Sequence, residues 1–184
     1  MTMTRFPSLP EEQWSAAQRE VAEEIIAGRR GQLRGPFPAL LYSPRLAAQT
    51  QKLGEYLRFE SCLPNSLIEF GVLITARHWG CANIWHSHRA LALKAQLDPR
   101  IISSIAGRIR PATMTVEEAA VFDFCIELNR DVDVSDTSFD QVVTLWGRQG
   151  AIDLIGVCGY YVFLAMVLNT ARFPLPEGAT RFEP

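Results

Sequence analysis

The sequence lacks the features that would link it to a charged partner or to export. Its 184 residues carry 18 basic and 20 acidic side chains, so the net charge is only -2. This balance gives no electrostatic reason to expect nucleic acid or an anionic membrane as a partner. The first nine residues also lack an apolar core of signal-peptide length, and we therefore expect a cytoplasmic location.

Long apolar runs and closely paired cysteines are also missing. The most apolar stretch, residues 154–168, is shorter than the roughly 20 residues that a helix needs to cross a bilayer. It is better interpreted as a buried core helix or a subunit interface than as a membrane span. No two cysteines form a CxxC pair, and we expect four free thiols at Cys62, Cys81, Cys125 and Cys158.

The sequence does contain a series of helix signals. Ser43-Pro44 and Asp98-Pro99 each place a capping side chain before a proline suited to the first helical turn, and Thr115 with Glu118 has capping-box form. No segment alternates convincingly like a strand, so we predict an all-α protein of one domain, residues 1–184. The predicted helices cover about 10–28, 44–59, 64–80, 81–95, 98–108, 115–129, 139–148 and 152–169, and a loop covers 31–38.

All three histidines lie in one short segment, residues 78–88. On a continuous helix His78, Cys81, Trp85 and His88 would share one face, because they are spaced three and four residues apart. An imidazole is suited to proton transfer near neutral pH, and a thiol beside it can become a thiolate. The structural alternative is that Cys81 and Trp85 belong to the core and that the histidines are ordinary hydrogen-bonded groups.

The order Glu69, Cys81, His88 resembles the alkylhydroperoxidase D signature, Glu-x11-Cys-x2-Cys-x3-His, with Ile84 in the place of the second cysteine. The block at residues 77–88 is more similar to the carboxymuconolactone decarboxylase-like branch, Arg-His-Trp-Gly-Cys-x-Tyr-Glu-Trp-x-x-His. In that block Asn83 and Ile84 replace Tyr-Glu. The resemblance covers about residues 35–176.

The resemblance implies a compact helical subunit that forms homo-oligomers, trimers or hexamers, often with sites near subunit interfaces. It also implies two chemistries on a small-molecule substrate. One is cofactor-free decarboxylation of a carboxylated lactone, and the other is thiol-based reduction of a peroxide. A helical binding or assembly module without catalysis is the third alternative.

We prefer decarboxylation-like proton transfer, with His88 as acid and base, Glu69 as the group that orients it, and Cys81 as a polarising or redox-capable neighbour. Arg58 and Arg77 are candidates for holding a substrate carboxylate, because a guanidinium grips it through two bonds. The further candidates for lining the substrate site are His78, His86, Trp85 and Tyr42. We expect no cofactor and no metal: His86 and His88, two residues apart on a helix, point to different faces.

Glu69 does not fit a continuous helix. It lies twelve residues before Cys81, about 120° away from the shared face. Glu69 therefore joins His88 only if the chain bends near Gly80.

Overall fold

The computed structural model describes residues 4–179 and residue 182, and every regular element among these residues is helical. This confirms the all-α prediction. The elements are a 3₁₀ turn, Glu11–Gln13, followed by α1 (Ala16–Ala27), α2 (Phe37–Leu40), α3 (Pro44–Phe59), α4 (Asn65–His78), α5 (Ala82–Lys94), α6 (Pro99–Ala106), α7 (Val116–Asp131) and α8 (Asp136–Ala171).

Capping side chains mark two of the predicted helix starts, those of α6 and α7, whereas Ser43 precedes α3 as predicted but forms no capping hydrogen bond through its side chain. Asp98 accepts a hydrogen bond from the backbone N–H of Arg100, and Thr115 and Glu118 form the predicted reciprocal capping box. The predicted start of the first helix near Pro10 is wrong. Helix α1 begins only after Ser15, because Ser15 and Gln18 form a capping box there. The predicted loop over residues 31–38 is also wrong in its last two residues, because the short helix α2 begins at Phe37.

Helix α4 is the centre of the core. Ten of its residues are buried, and Phe70, Val72 and Leu73 have no exposed surface. A helix that is apolar on nearly all sides must be covered on all sides. Helices α5, α7 and α8 pack around it, so a side chain on α4 is held by most of the hydrophobic core.

Helix α8 is bent at Gly147, whose φ of 68° is left-handed. The sequence predicted two helices here, 139–148 and 152–169, and the break falls one residue before the predicted end of the first. Among the described residues, α8 is the one helix long and apolar enough to cross a membrane, judged by length and composition. However, 56% of its most apolar window is buried inside the fold, which is typical of a core helix.

The chain turns sharply between α4 and α5, as the pairing of Glu69 with His88 requires. Gly80 has a φ of 59°. The N–H of Cys81 donates to the carbonyl of Ala76 at 2.9 Å, and the N–H of Gly80 donates to the carbonyl of Arg77. These are the two bonds of a Schellman helix end, which favours glycine at the left-handed position. The turn ends α4 and makes Cys81 the N-cap of α5.

Candidate active site

Glu69 and His88 form the most specific polar contact of the predicted site. Oε2 of Glu69, on α4, lies 2.6 Å from Nδ1 of His88, on α5. The two side chains are only 3% and 12% exposed. A carboxylate in this position accepts from Nδ1–H and fixes the imidazole tautomer, so that Nε2 remains for another partner. The turn at Gly80 therefore brings together the two residues that a continuous helix would separate.

Tyr161 forms one wall of this pair. Its ring meets the His88 ring edge-on, with the centroids 4.9 Å apart, and it contacts Tyr160 in the same way at 5.2 Å. Burial raises the pKa of Tyr161 strongly, while the positive charge of Arg58 opposes that rise and the charge of Glu69 adds to it. The aromatic wall thus stays neutral, and Arg58 lies close enough to act on the site electrostatically.

A second polar layer supports the aromatic wall. Nη2 of Arg30 donates to the Tyr160 hydroxyl at 3.0 Å, and Nε of Arg30 donates to Gln51. Gly54 makes room for this layer, because a Cβ atom there would overlap the Tyr160 hydroxyl oxygen and Nη2 of Arg30. A chain of contacts therefore joins Arg30 to His88 through Tyr160 and Tyr161.

Cys81 is completely buried. Burial raises the pKa of its thiol, and the backbone N–H groups of Ile84 and Asn83, at the start of α5, lower it only in part. The thiol form therefore prevails at neutral pH. This combination does not resemble a peroxidatic cysteine, which is partly exposed and has a lowered pKa.

The other cysteines lie elsewhere in the fold. Cys125 and Cys158 share a sulfur–sulfur hydrogen bond of 3.5 Å in the core, and within the described residues this is the one contact between cysteines. The bond from Cys125, together with bonds from Thr75 and Asn129, lowers the pKa of Cys158. Cys62 is exposed, and its N–H donates to Asp153. No described sulfur is therefore in contact with Cys81 to resolve an oxidised form.

The remaining predicted site residues are spread over several regions. Trp85 is buried and meets the Phe182 ring edge-on at 5.3 Å, and Arg77 stacks over the same ring at 4.5 Å. His86 is half-buried on α5. The Tyr42 hydroxyl donates to the carbonyl of Pro7 at 2.8 Å, so Tyr42 holds the N-terminal segment.

His78 does not share the face of α5, because α4 ends at that residue before the turn. Partial burial and the charge of Arg108 lower the pKa of His78. Within residues 4–179 and at residue 182, no group of three or more His, Cys, Asp and Glu side chains is placed to hold a metal ion. Of the three histidines, His78 thus lies at the end of α4, whereas His86 and His88 lie on α5.

Sequence reasoning missed the contribution of Tyr161, Tyr160 and Arg30. Tyr161 lies 73 positions after His88 in the sequence, and no local spacing rule links the two. The available signal was the adjacent pair Tyr160-Tyr161 inside the apolar stretch 154–168. It marks a position without indicating what the tyrosines contact.

Comparison with solved structures identifies the architecture. The chain is similar to the crystal structure of the alkylhydroperoxidase AhpD core, an uncharacterized peroxidase-related protein from Ralstonia eutropha JMP134. The TM-score is 0.77, with 15% sequence identity over 96% of this chain and 94% of that chain. No protein-family model matches the chain, and no curated protein matches it significantly. The eight α-helices of the described residues, with α4 at their centre, therefore form an alkylhydroperoxidase D-like fold.

Proposed function

We propose that this protein is a cofactor-free enzyme that moves a proton on a small organic acid, in a decarboxylation of the carboxymuconolactone type. The observation that carries the proposal is the 2.6 Å bond between Glu69 and His88. A nearly buried carboxylate–imidazole pair holds Nδ1 and directs Nε2 toward a substrate. This arrangement suits a general acid and base.

In the proposed step, the bond between the substrate carbon and its carboxylate breaks, and CO₂ leaves. The electron pair passes into a conjugated carbonyl of the substrate, such as that of an unsaturated lactone. His88 enters this step protonated on both nitrogens beside the Glu69 carboxylate. It delivers the Nε2 proton to the carbon, remains as the neutral Nδ1–H ring, and takes up a proton at Nε2 again from solvent. The net reaction consumes one proton and releases one CO₂, and it needs no oxidant.

Arg58 is the proposed holder of the substrate carboxylate. Its charge acts on both Tyr160 and Tyr161, and Tyr161 touches His88. No acidic side chain in the described part of the chain forms a salt bridge with Arg58, and its Nε is buried without a hydrogen-bond partner there. A free guanidinium near a proton donor suits a carboxylate substrate.

A thiol-dependent peroxidase is the second candidate. Its support is the pair of backbone N–H groups, from Ile84 and Asn83, that lower the pKa of Cys81 against the effect of burial. Complete burial and the absence of a neighbouring sulfur among the described residues weigh against it. We therefore rank it below proton transfer.

We further propose that the substrate space closes between subunits. Two cavities of the described chain are lined by other residues, and neither includes Glu69, Cys81 or His88. The solvent face of α8 carries Ile152, Ile155 and Met166, which are 66%, 41% and 48% exposed. An exposed apolar stripe of this kind is typical of a protein–protein contact, and a homo-oligomer would cover it.

The test is a screen of carboxylated lactones and organic hydroperoxides against four proteins: wild type, His88→Ala, Cys81→Ser and Ser87→Ala. Ser87 is an exposed neighbour on α5 and serves as the matched control. We expect wild type and Ser87→Ala to release CO₂ from a carboxylated lactone at equal rates. We expect His88→Ala to be inactive and Cys81→Ser to keep much of the activity.

A different pattern would support one of the alternatives. Loss of all activity in Cys81→Ser, with one thiol consumed per peroxide, would establish the peroxidase. Inactivity of every protein on both substrate classes, in the oligomer that light scattering detects, would favour the binding or assembly module.

A further inference from the structure

A cavity of about 300 Å³ lies between the end of α4, the end of α6 and the middle of α7. Four isoleucines and Phe122 line its apolar part, and Arg77, His78, Arg108 and Arg130 line its polar part. Its volume lies at the lower end of the range for small-molecule sites. Glu69, Cys81 and His88 are absent from its walls, so the cavity is separate from the candidate active site.

The charges of this cavity are unbalanced. Its lining includes three arginines and one histidine but no aspartate or glutamate. Arg130 is neutralised by Asp131, which accepts from its Nε at 2.7 Å. Arg77 and Arg108 have no salt bridge within the described residues. Two arginines therefore present uncompensated positive charge beside an apolar surface.

Arg77 is held in place with hydrogen-bonding capacity unused. Its Nε donates to the carbonyl of Ala106 at 2.8 Å, and its guanidinium stacks over Phe182. Its Nη1 is buried without a hydrogen-bond partner in the described chain. Buried polar groups are nearly always paired, so Nη1 of Arg77 has the capacity to donate to a further acceptor in the cavity.

The positive charges that line the cavity repel one another. Burial and then the charge of Arg108 lower the pKa of Arg77, and the same two causes lower the pKa of His78. An anion among these groups would relieve this repulsion. The arrangement thus favours a negatively charged ligand.

We propose that this cavity binds an amphipathic organic anion, namely a monocarboxylate with a hydrocarbon body such as a medium-chain fatty acid. Arg77 and Arg108 hold the carboxylate, and the isoleucines with Phe122 enclose the hydrocarbon chain. This function is additional to the chemistry at His88 and does not depend on it.

The test is calorimetric titration of the full chain with decanoate, compared with decan-1-ol and with acetate. Decan-1-ol keeps the hydrocarbon chain without the charge, and acetate keeps the charge without the chain. The variants are Arg77→Gln and Arg108→Gln, with Arg148→Gln as control, because Arg148 is an exposed arginine outside the cavity. The NMR signals of the His78 ring report binding at the cavity itself.

We expect decanoate to bind wild type and Arg148→Gln equally and to shift the His78 signals. We expect Arg77→Gln and Arg108→Gln each to weaken binding roughly tenfold or more, the effect of losing a hydrogen bond to a charged group. Decan-1-ol and acetate should bind much more weakly than decanoate. Arg108→Gln is the decisive variant, since Arg108 is exposed and its side chain forms no described hydrogen bond.

The proposal is overturned if decanoate fails to bind wild type. It is also overturned if decanoate binds Arg108→Gln as tightly as wild type, if decan-1-ol binds as well as decanoate, or if binding leaves the His78 signals unmoved. None of these outcomes bears on decarboxylation at His88, so the two proposals stand or fall separately.

Discussion

Oε2 of Glu69 lies 2.6 Å from Nδ1 of His88, although 19 positions separate the two residues. Glu69 belongs to the most buried helix of the core, and His88 belongs to the next helix along the chain. The geometry of the pair is therefore fixed by how α4 and α5 pack and not by either helix alone. Several testable consequences depend on this packing and on the groups around it.

The hydrogen bond to Glu69 should decide which His88 nitrogen carries the proton in the neutral ring. In Glu69→Ala we expect the preference for Nδ1–H to be lost, because its acceptor is gone. The stability should fall by about 1–3 kcal/mol, the usual range for leaving a buried polar group unpaired. Nitrogen-15 NMR of the ring and urea unfolding measure the two effects. Glu20→Ala, at an exposed site on α1, is the control, and an unchanged tautomer would remove the orienting role of Glu69.

Cys81 should be unreactive at neutral pH in the folded protein. Because burial raises the pKa of its thiol above the ordinary 9.0, its thiolate fraction at pH 7 is smaller than that of a free thiol. We expect iodoacetamide to label the exposed Cys62 first, and labelling of Cys81 to accelerate as the pH rises past 9. Peptide mass spectrometry over time measures this order. Equal labelling of Cys81 and Cys62 at pH 7 would contradict it.

The protein should lose stability in alkali. Burial raises the pKa of Cys81 above 9.0 and that of Tyr161 above 10.0, so above these values the unfolded chain binds fewer protons than the folded one. The free energy of unfolding should therefore fall as the pH rises above 9, and more steeply above 10. Urea unfolding between pH 7 and 11 measures the slope. Tyr161→Phe should flatten it above pH 10, and an unchanged slope would show that Tyr161 titrates normally.

Gly54 should tolerate no side chain, although it lies inside a helix. A methyl group at Gly54 would collide with the Tyr160 hydroxyl and Arg30, so we expect Gly54→Ala to cost about 1–3 kcal/mol. The matched control is Gly159→Ala, where a Cβ atom would meet nothing within 4 Å. We expect this control to stabilise the protein by up to about 1 kcal/mol, since alanine is the better helix former. Thermal unfolding distinguishes the two, and equal stabilities would contradict the close approach at Gly54.

The sequence predicted those parts of the fold that depend on local contacts. A capping box and a proline at the first helical position involve only neighbouring residues, and the starts of α3, α6 and α7 followed from Ser43-Pro44, Asp98-Pro99 and Thr115. The start of α1 was misplaced because Pro10 and Ser15 both precede helix-compatible residues. Only the reciprocal hydrogen bonds of Ser15 and Gln18 separate the two signals.

The candidate site was only half predictable, because its contacts are long-range. The role of Glu69 followed from a resemblance. That role required a bend near Gly80 to bring Glu69 to His88, and the structure has the bend at Gly80. The contact of Tyr161 with His88 depends on how α5 and α8 each pack against α4, and no sequence period reports that packing. Arg77 and His78 line a separate cavity, and this too depends on long-range helix packing that no local sequence pattern reports.

The bend at Gly147 has a consequence for the size of the molecule. A straight helix of 36 residues would be about 54 Å long. A compact chain of 184 residues has a radius of gyration of only about 16 Å. A rigid rod of that length would extend well beyond the globule and leave apolar side chains in water. The left-handed residue Gly147 divides α8 into two shorter helical segments, which the rest of the protein can cover.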